Sequence, residues 1–155
     1  MALQVGDKAP VFTALNQDGK EVTLSEIVAK ADSTVLYFYP KDNTSACTAQ
    51  ACNLRDNMAD LTSAGYQVVG VSPDDIKSHQ KFITKQNLNF QLIADTDTKI
   101  AQMYGVWQEK QMYGRKYMGV VRTTFIINRE GVITNIINQI KTSDHAAQIL
   151  SGKMA

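Results

Sequence analysis

A continuous apolar run rich in β-formers, Thr34-Val35-Leu36-Tyr37-Phe38-Tyr39, is closed by Pro40. A strand with no polar alternation is buried on both faces, so it belongs in the middle of a sheet that carries layers on each side. Proline cannot continue the hydrogen-bond ladder and fixes its own φ, so the chain leaves the sheet at Pro40. Seven residues later stands Cys47, with the hydroxyl of Thr44 three residues before it and Cys52 five residues after it. These are the only two cysteines in the chain, and both lie on the segment that follows the buried strand.

The remaining patterns build outward from that strand. Residues 11–15 and 20–23 flank Asn16-Gln17-Asp18-Gly19 and read as a β-hairpin. A helix is expected over 45–64, closed by Gly65. Residues 67–72 read as a second central strand, and Pro73-Asp74-Asp75 opens a helix running to about Gln86. A short strand near 92–94 precedes a helix near 97–104. Residues 122–128 and 132–139 form a hairpin around Asn128-Arg129-Glu130-Gly131, and a last helix begins near Ser143 with Asp144 in its first turn. Strands alternating with helices, followed by a late antiparallel hairpin, describe an α/β mixed central sheet flanked by helices. The order is that of the thioredoxin fold with an N-terminal β-hairpin extension. No linker interrupts residues 1–155, so a single domain is expected.

Sixteen basic and fifteen acidic residues leave a formal charge of +1. So weak a field argues against nucleic acid or an anionic membrane as the main partner. The first residues, Met1-Ala2-Leu3-Gln4-Val5-Gly6-Asp7-Lys8, carry no apolar core of a secretory signal, and no run approaches the ~18 apolar residues of a membrane span. A reducing cytoplasm is therefore the expected compartment, where a cysteine pair points to catalysis or metal binding rather than a permanent staple.

Cys47, Ala51, Leu54, Met58 and Leu61 recur at helical spacing, so Cys47 shares the apolar stripe of its helix. An inert core thiol is one reading of that position. Its place in the first turn is the other, because unpaired N–H groups and the helix dipole favour a thiolate there. Cys52 lies about 7.5 Å further along the axis and about 140° around it. A disulfide needs Cα atoms within ~7 Å, so an intact helix cannot hold a Cys47–Cys52 bond: either the two never pair, or oxidation unwinds the first turns. His79 and His145 with the two cysteines lack the knuckle spacing of a zinc site, and each histidine reads as a surface or capping residue. Residues 105–121 interleave Trp107, Tyr113 and Tyr117 with Lys110, Arg115 and Lys116 and read as a long, partly ordered loop near the active site.

In this order the motifs resemble the peroxiredoxins, specifically the bacterioferritin comigratory protein or peroxiredoxin Q group. Pro40, Thr44 and Cys47 match the Pro-x-x-x-Thr/Ser-x-x-Cys pattern; Cys47 and Cys52 match the C-x₄-C spacing. Tyr104-Gly105-Val106-Trp107 with Met112-Tyr113-Gly114 looks like its connecting loop, and Arg122-Thr123-Thr124-Phe125 like its arginine-bearing strand. The resemblance implies a peroxidase acting on hydrogen peroxide and organic hydroperoxides. Cys47 would be the nucleophile, Arg122 the cation that stabilises it and orients peroxide, and Thr44 a hydrogen-bonding partner of the substrate beside Pro40. Cys52 would resolve the sulfenic acid to an intramolecular disulfide, and thioredoxin or a similar dithiol would recycle it. No cofactor is implied; an intramolecular pair needs no second subunit, so a monomer is expected, with a weak dimer as the alternative. The chain departs from the family in writing Thr44-Ser45-Ala46-Cys47 where Thr-Pro-Gly-Cys is usual, with Ser45 as a possible cap, and in placing Gln50 where many relatives carry Glu.

Two other classes share parts of this pattern. A thiol–disulfide oxidoreductase on the same fold would use C-x-x-C and a proline before the facing strand, whereas this chain has C-x₄-C and Gly119-Val120-Val121 before Arg122. A redox sensor or binding module would need the same reactive Cys47 and differs only in failing to turn over.

Overall fold

The computed structural model describes residues 2–154. Its main sheet has seven strands in the order β2-β1-β5-β4-β3-β8-β9. In chain order these are β1 (Thr13–Asn16), β2 (Glu21–Thr23), β3 (Ser33–Phe38), β4 (Tyr66–Ser72), β5 (Gln91–Ala94), β8 (Thr123–Asn128) and β9 (Ile133–Ile137), with β6 (Trp107–Met112) and β7 (Arg115–Val120) paired apart from the rest. The helices are α1 (Leu24–Val28), α2 (Ser45–Asp56), α3 (Met58–Ser63), α4 (Ile76–Gln86), α5 (Lys99–Met103) and α6 (His145–Met154). β3 runs parallel to β4 and antiparallel to β8; β4 is parallel to β5. The expected mixed sheet, flanking helices and N-terminal hairpin are all present. No helix among the described residues is long and apolar enough to cross a membrane.

The apolar run of β3 is buried because its side chains feed two separate cores. Leu36 and Phe38 point into one, with Ile27 and Val28 of α1, Ile100 and Ala101 of α5, Tyr104 and Phe125. Val35, Tyr37 and Tyr39 point into the other, with Cys47, Ala51 and Leu54 of α2, Leu61, Phe82 and Ile149. Alternation between two apolar layers, rather than between core and water, is why the strand shows no period of two in hydropathy. The predicted stripe of α2 and α3 lies on the second core, with Met58 at its edge.

Several sequence expectations are corrected. The helix expected over 45–64 breaks at Asn57, whose side-chain amide donates to Asn53 O. The helix opened by Pro73 begins only at Ile76, where the Asp75 carboxylate caps the Ser78 N–H. Residues 105–121 are not a loop: most of them form the β6–β7 hairpin, turned at Tyr113 and Gly114 with φ of 52° and 77°. Positive φ at both central residues is the turn that matches strand twist. Its strands are largely solvent-facing and charged, so they carry no buried stripe for sequence reasoning to find.

Both histidines are fully buried, not surface or capping groups. The start of α6 is tied to β8 by His145, whose Nε2 lies 2.8 Å from Thr124 Oγ1 and whose Nδ1 lies 2.9 Å from Gln148 Oε1. The Gln148 amide donates through Nε2 to Gln139 O, so its Oε1 is an acceptor. Nδ1 therefore carries the proton and Nε2 accepts from the threonine hydroxyl. Burial lowers the His145 pKa below its ordinary value; the Gln148 bond opposes this and the Arg122 charge adds to it. A group lowered on folding contributes stability above its unfolded value near 6.5, lost as pH falls through the folded value. The difference in Tm between the wild type and His145→Gln should therefore shrink as pH is lowered from about 7 to about 5.

Candidate active site

β3 delivers the chain to the site. The Tyr39 N–H still donates to Val71 O at 3.1 Å, and then Pro40 ends the pairing. Asn43 takes a left-handed φ of 63° and Thr44 becomes the N-cap of α2 in extended conformation. Ser45 is the first helical residue, so it is not the cap. The Thr44 hydroxyl makes no capping bond and donates instead to Lys41 O at 2.9 Å. Its donor is thereby occupied, while the lone pairs of this exposed residue's oxygen can still accept. No acidic residue occupies the first turn of α2, leaving the positive end of its dipole uncompensated by the helix's own side chains.

Cys47 is in that first turn and only 2% exposed. Arg122 reaches it from 75 residues away, because Thr123 at the start of β8 pairs with Phe38 at the end of β3. The guanidinium forks across the turn: Nη2 donates to Cys47 Sγ at 3.4 Å and Nη1 to Gln50 Oε1 at 2.7 Å. Cys47 and Gln50 are three apart and share a helix face, so one planar cation serves both. Gln50 is neutral and holds Arg122 in place without cancelling its charge. Among the described residues, Gln50 Nε2 and the Tyr37 hydroxyl are buried without a hydrogen-bond partner.

Lys110, which the sequence placed in a loop without a role, is a second cation of this neighbourhood. Its ammonium donates to Val120 O at 2.9 Å. Burial lowers its pKa, and repulsion from Arg122 lowers it further, against the opposing influence of Cys47. Only the hairpin fold brings Lys110 here.

Pro40, Thr44, Cys47 and Arg122 thus gather at one end of β3. Cys52 does not join them. Its thiol, half-buried, sits 3.5 Å from Gln86 Oε1 at the end of α4, and both cysteines are free. The sequence reading also missed Asp42. Its carboxylate accepts from the Tyr39 hydroxyl at 2.6 Å and the Ser78 hydroxyl at 2.8 Å, and contacts His79 Nδ1 at 2.7 Å. An aspartate beside Pro40 was a weak local signal; its partners on α4 lie 36 and 37 residues away and have none. Among the described residues, Asp42, Asp74 and His79 form a close group of ligand-type side chains that includes neither cysteine.

Residues 5–136 match the model of the AhpC/TSA family. The chain belongs to that family. Peroxiredoxin Bcp of Escherichia coli is 40% identical over 149 residues, covering 96% of this chain and 94% of that protein. A Xylella fastidiosa PrxQ mutant structure superposes with a TM-score of 0.88 at 30% identity, covering 97% of this chain and 95% of that one. A bacterioferritin comigratory protein from Xanthomonas campestris, solved as a trapped intermediate/ligand complex, gives 0.84 at 31% identity over 92% and 90% of the two chains. The family member described here is a thiol-dependent peroxidase of the Bcp/PrxQ peroxiredoxin group with a thioredoxin fold.

The Arg122 fork yields a mutational expectation. Arg122→Lys keeps a charge but not the two directed donors. Peroxide consumption by reduced protein, followed by stopped flow, should slow by about 10²-fold for Arg122→Lys, the scale of losing one aligned donor to developing charge.

Proposed function

We propose that Cys47 is the peroxidatic nucleophile, Arg122 its activating cation, Thr44 and Pro40 the wall of the peroxide pocket, and Cys52 the resolving thiol. The observation that carries this reading is the Arg122 fork on a buried sulfur in the first turn of α2. The Cys47 thiolate attacks one peroxide oxygen; the O–O bond breaks, and the departing alkoxide or hydroxide takes a proton. Cys47 is oxidised to a sulfenic acid as the peroxide is reduced to alcohol or water. A free cysteine thiol is about 3% ionised at neutral pH, so complete ionisation gains only about 30-fold, roughly 2 kcal/mol. Any larger acceleration rests on stabilising the leaving oxygen, the task of Arg122 and the N–H groups of the first turn. The Thr44 oxygen, its own proton committed to Lys41, accepts from the peroxide O–H.

Resolution needs Cys52 to reach the Cys47 sulfur. Both stand in the same helix, about 7.5 Å apart along its axis, too far for a disulfide. The first turns of α2 therefore unwind; Cys52 displaces water from the sulfenic acid, and a dithiol of the thioredoxin type reduces the product in a reducing compartment such as the cytoplasm. The protein works as a monomer in this scheme. Hydrogen peroxide and organic hydroperoxides are both substrates; alkyl peroxide reduction, described for the Xanthomonas protein, supports the second.

One equivalent of hydrogen peroxide added to reduced protein should remove both thiols in a monomeric product, and Cys47→Ser should abolish the loss. Cys52→Ser should react once and then stall with a dithiol donor present; normal turnover would exclude its role. Oxidation should also lower helical circular dichroism and increase proteolysis within residues 44–54, and identical spectra in both redox states would rule out the unwinding.

A further inference from the structure

The loop that leads into the helix of the reactive cysteine is held by charge buried away from the reacting atoms. Between Pro40 and the start of α2, Asp42 is the only fully buried residue; Lys41, Asn43 and Thr44 are exposed and Pro40 is half-buried. The side chains of Asp42 and His79 are 1% and 0% exposed. His79 Nδ1 faces the Asp42 carboxylate at 2.7 Å, and Nε2 faces Ile93 O at 2.9 Å. A backbone carbonyl has no proton to give, and the carboxylate already accepts from the Tyr39 and Ser78 hydroxyls. Against an ionised Asp42 carboxylate both ring nitrogens donate, which makes His79 an imidazolium. The loop backbone is tied to the same place, since the Asp42 N–H donates to Asp74 Oδ2 at 2.8 Å, and Asp74 accepts from the Ser72 hydroxyl.

A second polar tie holds α2 from the other side. Asn53 donates to Ser143 O at 3.1 Å and accepts from the Ala146 N–H at 2.8 Å. Asp42 and Asn53 thus bracket residues 43–52, the stretch that contains Cys47 and ends at Cys52. In the proposed scheme its helical part, from Ser45 onward, is intact for attack on peroxide and opens for disulfide formation.

We propose that the buried Asp42–His79 pair is the positioning device of this reaction, an imidazolium–carboxylate clamp that holds residues 43–52 in the peroxide-reactive conformation and lets them open when it is lost. The proposal deepens the peroxidase reading and rests on it. Neither residue touches the sulfur; both act through the loop backbone. The clamp also carries a pH dependence. Burial alone would lower the His79 pKa, but the bond and charge of Asp42, the Ile93 carbonyl and the charge of Asp74 together raise it. The groups facing the ring are Asp42 from the loop, Asp74 from the β4–α4 turn and the Ile93 carbonyl from β5. Nearby Tyr39 from β3 stays neutral because burial, with the neighbouring Tyr37 and Asp42, pushes its phenol well above the ordinary value. A histidine raised on folding stabilises the closed loop fully below ~6.5 and ceases to do so as pH rises through its folded value.

Hydrogen exchange on the reduced protein tests this without peroxide, so its outcome is independent of the assignment of Cys52. In His79→Gln, protection of the amides of residues 45–52 should fall by about 10-fold or more, while amides of residues 35–38 in β3 keep theirs. In the wild type, after correction for intrinsic exchange, the same selective loss should appear as pH rises from about 6.5, and it should be absent from His79→Gln. With peroxide, the variant should show slower sulfenic acid formation and faster disulfide closure, a split in opposite directions. Unchanged protection in 45–52, or a wild-type pH profile retained in the variant, would overturn the clamp. If His79→Gln does not fold, imidazole ¹⁵N spectra of the wild type decide: two protonated ring nitrogens near pH 7 support the proposal, and one refutes it. Loss of the kinetic split with the exchange result intact would instead fault the peroxidase scheme.

Discussion

The antiparallel register between β3 and β8 is the constraint from which the site follows. Phe38 pairs with Thr123, so the residue before Thr123 must emerge where β3 hands over to the loop. That residue is Arg122, and the N-terminus of α2 lies under it. Because side chains alternate across a strand, shifting this pairing by one residue would send the strand's side chains to the opposite face. Two apolar cores, one on each face of β3, hold the register: Leu36 and Phe38 belong to one and Val35, Tyr37 and Tyr39 to the other. The precision of a cation–sulfur contact thus derives from non-directional packing on both sides of a central strand.

The proposed chemistry makes opposed demands on α2. Intact, it offers Cys47 an N-terminal dipole and carries Gln50 at the spacing that lets one guanidinium bind both residues. Unwound, it lets two sulfurs meet that the helix keeps apart. Its attachments are graded to suit. Ala51 and Leu54 are buried in the core, Asn53 is bonded to the start of α6, and the loop before Cys47 relies on one buried carboxylate and its partners. Break points between such anchors are where local opening without global unfolding is least costly.

The two buried histidines show how environment, not residue type, decides charge. His79 is bounded by a carboxylate and a carbonyl, both acceptors, and is held as a cation. His145 is bounded by a threonine hydroxyl, which can donate, and an amide oxygen, and is held neutral. One ties the reactive loop to α4 and the other ties α6 to the sheet, and their contributions to stability vary with pH in opposite senses.

Local chemistry in the chain determined much of this protein by itself. The run from Thr34 to Tyr39, ended by Pro40, specified a central strand, and the stripe from Cys47 to Leu61 specified the face that α2 and α3 bury. The spacing of Cys47 and Cys52 already implied that an intact helix keeps the two sulfurs apart, so that they either never pair or pair only where it opens, because rise per residue is a property of the helix and not of its surroundings. Tertiary structure alone decided what faces what. The sequence shows an aspartate, two histidines and a lysine; only the fold shows that Asp42 meets His79, that His145 meets Thr124, and that Lys110 stands beside Arg122. The charged β6–β7 hairpin escaped sequence reasoning for the same reason, since it buries too little to leave a pattern. Hydropathy records burial against a neighbouring layer, whereas contacts between polar groups distant in sequence are set by register and packing and leave no period to read.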